Sequence, residues 1–127
     1  MRELLAVLLG GAVGTALRLG IDTAIPHGDD AFPLSTLAIN TLGAGLLGVL
    51  VARLWPRVPA WQRAGLGAGL LGSFTTFSAF AVSVVALSAA GEWMLAALYL
   101  VATLGLGWTA AALGLSLGRP REPEVTE

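Results

Sequence analysis

The chain has 127 residues, 56% of them hydrophobic and 12% charged, against about 25% charged in an ordinary soluble domain. So few charges cannot cover the surface a soluble fold of this length exposes, which excludes a soluble enzyme. A net charge of −1 with no lysine gives no basic surface for nucleic acid, the absence of cysteine removes disulfide and thiolate chemistry, and one histidine, His27, makes no metal cluster.

The charges are also unevenly placed. Residues 31–52, 64–91 and 93–118 contain no Asp, Glu, Lys, Arg or His, and residues 4–21 contain only Arg18. Each stretch approaches or exceeds the ~20 apolar residues that cross a bilayer core. The pattern predicts one all-α membrane domain over residues 1–118, with four transmembrane helices at about 4–21, 33–52, 61–90 and 93–117. Residues 119–127 form a polar C-terminal tail with the composition of disorder.

The first span carries Gly10-xxx-Gly14, a small-residue packing face, and ends near Arg18. That arginine either snorkels to the interface or shapes the field at a pore mouth. A polar loop over residues 22–30 follows. Phe32-Pro33 opens the second span, because proline suits a first helical turn. On it Thr36, Asn40 and Gly43 share one face at i, i+4 and i+7. Asn40 is either interhelical glue or an amide donor presented to an anion. Ala44-xxx-Gly48 is a second small-residue seam.

The third segment is too long for one straight crossing. Thirty residues of helix extend about 45 Å, against a core of about 30 Å. Gly65, Gly67, Gly69 and Gly72 lead into Ser73-Phe74-Thr75-Thr76. Glycine is a poor helix former, and Ser and Thr compete for backbone hydrogen bonds. The expectation is unwinding over residues 72–76, near mid-membrane. Backbone groups freed at that depth must be buried in protein or line a wet cavity. The alternative is an unbroken glycine-rich helix that packs closely on a neighbour.

Just beyond, Phe77 and Phe80 are i, i+3 neighbours whose ring edges are electropositive. They either line an anion path or simply pack. On the fourth span Tyr99 and Thr103 are i, i+4, a polar track or a packing stripe, with Gly107 a turn further. Trp55, Trp61 and Trp93 fit an interfacial belt, and Trp108 reads as packing. No Asp or Glu lies inside any span, which disfavours a small proton-coupled drug antiporter.

Three stretches in order carry a resemblance: Gly10-Gly11-Ala-Val-Gly14-Thr-Ala-Leu-Arg18, Ser35-Thr36-Leu-Ala-Ile-Asn40-Thr-Leu-Gly43, and Gly72-Ser-Phe-Thr75-Thr76-Phe77-Ser78-Ala-Phe80. Together they resemble the Fluc (CrcB) fluoride channel family. The resemblance implies a passive fluoride-selective channel in the cell membrane, built as an antiparallel dimer with pores along the interface. It implies Phe77 and Phe80 as pore phenylalanines, with Asn40, Thr36 and Thr76 in the polar wall, Tyr99 and Thr103 as a polar track, and Arg18 near the entrance. The backbone carbonyls of Gly72 and Thr75 match those that hold a central sodium ion. Ser73 stands where the family often has glycine.

An even number of spans puts both termini and residues 53–63 on one side. That side holds Arg2, Arg53, Arg57, Arg63, Arg119 and Arg121, and the other only Arg18. The positive-inside rule then favours cytoplasmic termini. Pairing with an oppositely oriented homologue, or a homodimer of mixed insertion, would complete the antiparallel pair. A non-conducting partner subunit is the second functional reading.

Overall fold

A computed structural model describes residues 1–26 and 31–119. His27 and the rest of the loop expected to residue 30 lie outside the described residues, as does the tail from residue 120. Four helical spans are long and apolar enough to cross a membrane. Helix α1 (Arg2–Ala24) is followed by α2 (Leu34–Leu54), whose last turn widens into a π-helical stretch at Leu50–Leu54. The third span, Ala60–Ala89, is divided into α3 (residues 60–74) and α4 (Phe77–Ala89). Helix α5 (Trp93–Gly118) returns after a turn at Gly91, whose positive φ of 81° suits a residue without Cβ.

One boundary differs from the sequence reading, and the expected break narrows to two residues. Helix α1 continues to Ala24, so Asp22 is helical rather than part of the polar loop. The break lies within the expected residues 72–76 but past the glycine run. Gly65–Leu71 is π-helical, Gly72–Phe74 is still helical, and the break falls on Thr75 and Thr76. Glycines without side chains let the helix widen, and Gly72 donates back to the Gly67 carbonyl, an i→i−5 bond. A wider helix keeps its backbone hydrogen bonds, so composition alone does not unwind it.

Packing is pairwise. Helix α1 lies against α3, α2 lies against α5, and α4 closes onto α5. One apolar cluster joins α1, α2 and α3 through Ile39, Leu71 and Phe74. A second joins α2, α4 and α5 through Leu37, Leu87, Ala96 and Tyr99. The break sits between the two.

The seams depend on missing side chains. A Cβ on Gly14 would overlap the Leu70 carbonyl, so α1 and α3 meet backbone to backbone. On α2 the seam is Gly45 and Gly48 against Ala110, Ala111 and Gly114 of α5, while Ala44 faces a groove instead. Gly14→Val is therefore expected to destabilise the fold by about 3 kcal/mol, the upper range for overpacking. Gly20→Ala, where nothing lies within 4 Å, is expected to hold stability or raise it by up to about 1 kcal/mol, alanine being the better helix former. Thermal unfolding of the two variants in detergent measures the contrast.

Candidate functional site

The break is held open by one side chain. Thr75 and Thr76 are extended, with φ/ψ of −77°/156° and −147°/117°. The Leu71 carbonyl accepts from the Thr75 N–H at 3.0 Å and from its hydroxyl at 2.8 Å, which terminates α3. Asn40 of α2 then pairs with both backbone groups of Thr76. Its Oδ1 accepts from the Thr76 N–H at 2.8 Å, and its Nδ2 donates to the Thr76 carbonyl at 2.9 Å. The side-chain amide thus does for one extended residue what a neighbouring β-strand would do. The Thr76 hydroxyl caps α4 by accepting from the Ala79 N–H at 3.1 Å.

What stays unpaired is as informative. The carbonyls of Gly72, Ser73, Phe74 and Thr75 accept no backbone N–H across the break. Gly72 and Thr75 line a groove there, and Gly43 of α2 makes room for the Thr75 methyl group. Backbone oxygens of this kind suit a hard cation. Among the described residues no cluster of three His, Cys, Asp or Glu could hold a metal ion.

Beside the break, α4 and α5 build an aromatic row. Phe77 and Phe80 have ring centroids 5.7 Å apart, and Phe80 and Tyr99 are 5.5 Å apart. Phe32, just before α2, meets Tyr99 edge-on at 5.5 Å. Phe77 is 80% exposed and Tyr99 fully buried, so the row runs from the molecular surface into the core. The Tyr99 hydroxyl is faced by those of Ser83, Thr103 and Thr36. Among the described residues neither it nor the buried Thr103 hydroxyl has a partner in hydrogen-bonding geometry. Leaving such a group unpaired costs about 1–3 kcal/mol.

Two cavities flank that row. An open groove of about 830 Å³ runs from Trp55 and Arg63, near the end that carries the chain termini, past Gly72, Thr75 and Asn40 to Phe77, Phe80 and Thr103. A smaller cavity of about 390 Å³ opens at the other end beside Asp22, Pro26 and Pro33 and reaches Thr36 and Ser83. The Tyr99 hydroxyl lies between them, since Thr103 lines the groove and Thr36 and Ser83 line the cavity.

The structure therefore brings together Asn40, Thr36, Gly72, Thr75, Thr76, Phe77, Phe80, Tyr99 and Thr103. Arg18 is half-buried and lines neither cavity. Ser83 escaped the sequence reading, although its position three residues after Phe80 placed it on the same helix face. Two tryptophans also differ from expectation. Trp55 turns inward with its indole N–H buried, and Trp108, read as packing, is 80% exposed.

These features define a multi-pass helical membrane protein with an interrupted span, in which Gly72, Thr75 and Thr103 line an open groove. Residues 5–115 match the family described as CrcB-like protein, Camphor Resistance (CrcB), and the chain belongs to that family. It is 38% identical over 120 residues to the "Fluoride-specific ion channel FluC 1" of Mycobacterium bovis, covering 93% of this chain and 91% of that protein. It is 42% identical over 123 residues to the "Fluoride-specific ion channel FluC" of Erythrobacter litoralis, covering 91% and 90%. The same name is carried by a protein of Idiomarina loihiensis, 45% identical over 96 residues and covering 74% of each chain. No relative among these is an enzyme by name.

Proposed function

We propose that the chain is a passive, fluoride-selective channel subunit that lets fluoride leave the cell. The observation that carries this is the row Phe77–Phe80–Tyr99, set beside unpartnered hydroxyls and lying between two cavities that open toward opposite ends of the helices. Fluoride is small and strongly hydrated, so several weak donors must replace its water together. Hydroxyls, an amide N–H and ring edges supply donors without a fixed positive charge that would hold the anion. The amide is Asn40, which keeps one Nδ2 hydrogen after clamping Thr76.

The groove is open along its length on a single subunit, and the exposed Phe77 and Gly72 lie on it. A second, oppositely oriented copy or homologue would close it, making an antiparallel dimer. In that arrangement the free carbonyls of Gly72 and Thr75 from two subunits would hold one sodium ion. Bound there, the ion supplies a fixed positive charge that raises the local potential for an anion. The arginines favour cytoplasmic termini in the cell membrane. That bias supports the second reading, in which this subunit conducts only beside an oppositely inserted homologue.

The test is fluoride release from liposomes that contain this protein alone, loaded with potassium fluoride and triggered with valinomycin, with chloride as the control anion. Fast fluoride-selective release is the expected result. No release from folded protein, restored by co-reconstitution with a homologue, would establish the second reading. Tyr99→Phe gives a finer check. It removes only the unpartnered hydroxyl, so stability is expected to hold or rise by about 1 kcal/mol while fluoride release slows about tenfold. Unchanged release would make the hydroxyl a packing residue.

A further inference from the structure

Resting on that reading, we infer that Asp22 sets the rate at which fluoride crosses the end of the path away from the chain termini. The sequence alone assigned this residue to a polar loop, but α1 extends through it and holds it, half-buried, on the wall of the 390 Å³ cavity. Every other described lining residue is uncharged, from Pro26 and Pro33 near the opening to Thr36 and Ser83 at the inner end. Those last two hydroxyls face Tyr99. An anion on this route passes a carboxylate before it meets its first donors.

Among the described residues nothing cancels that charge by contact. Asp22 has no hydrogen-bond or ion-pair partner among the described residues, and neither has Arg18, which shares its helix face one turn deeper. The opposite end of the path is lined by Arg63, whose guanidinium is likewise unpaired. Among the described lining residues, the two ends of one subunit's path thus carry opposite charges. A wall carboxylate depletes anions at a narrow opening by a Boltzmann factor, and low-dielectric walls strengthen the effect. At several ångströms and an effective dielectric between those of protein and water, one charge changes the local fluoride concentration by about three- to tenfold.

The experiment is fluoride release from liposomes for the wild type, Asp22→Asn and Asp22→Glu, in ~0.01 M and ~1 M salt of an impermeant anion, where the screening lengths are about 30 Å and 3 Å. Asp22→Asn is expected to release fluoride three- to tenfold faster than the wild type in low salt and at the wild-type rate in high salt. Asp22→Glu is expected to match the wild type in both. The chain has no cysteine of its own, so Asp22→Cys carrying a cationic or an anionic thiol reagent gives a charge series at the same atom. Faster release with the cationic label than with the anionic one is expected. Equal rates for wild type and Asp22→Asn in low salt would overturn this inference and leave the channel intact. A change of the same size in both salts would overturn it too, since packing rather than charge would then be responsible. An absence of fluoride release from every variant, with or without a homologue, would remove the channel reading and this inference together.

Discussion

Phe80→Ile is expected to cut fluoride release by about 30-fold while the protein still folds and inserts. Isoleucine keeps the apolar bulk of Phe80 but removes the ring that sits 5.7 Å from Phe77 and 5.5 Å from Tyr99. Two aromatic contacts of about 1 kcal/mol each are lost. If the passing anion used the same electropositive edges, its barrier rises by a similar ~2 kcal/mol, a factor near 30 in rate. The stability change falls on one side of one half-buried cluster, within what a membrane helix bundle tolerates. Liposome release against a chloride control, with gel filtration of the same sample, separates the two effects. Wild-type release from Phe80→Ile would show that the row only packs.

Asn40→Asp is expected to abolish release and to loosen the break. The amide makes two bonds of opposite polarity to Thr76, one accepted at 2.8 Å and one donated at 2.9 Å. A carboxylate keeps the first and sets an oxygen against the Thr76 carbonyl in place of the second. The mismatch and the added charge cost about 3 kcal/mol at a part-buried site. That charge also stands in the path of an anion. Asn40→Asp is therefore expected to melt several degrees lower and to conduct nothing. Normal release from a normally stable Asn40→Asp protein would remove Asn40 from both the clamp and the path.

The clamp shows why part of this site was legible and part was not. Thr36, Asn40 and Gly43 are spaced at i, i+4 and i+7, so their shared face follows from helix geometry alone. The chemistry of Asn40 leaves two roles open and favours the interhelical one, and the contact with Thr76, 36 residues away in the chain, shows it. The break falls inside the expected residues 72–76, at their far end, for a related reason. Local composition marks Gly65 through Gly72 as weak helix, yet those residues stay hydrogen-bonded by widening, and the chain opens where Asn40 offers replacement bonds. Asp22 was misplaced because a charged residue beside an apolar stretch reads as its boundary, whereas α1 runs on to Ala24 at the edge of a cavity.

The sequence by itself determined the number of spans, their approximate limits and the exclusion of a soluble protein. These follow from length, charge placement and periodicity, all of which are local properties of the chain. Only the tertiary structure decided that α1 pairs with α3 and α2 with α5, that Ser83 joins Thr36 and Thr103 around the Tyr99 hydroxyl, and that Asp22 rather than Arg18 lines a cavity. Those facts depend on which glycines let backbones touch and on which residue accepts a freed N–H. Both are settled between helices distant in sequence, where no local pattern reaches.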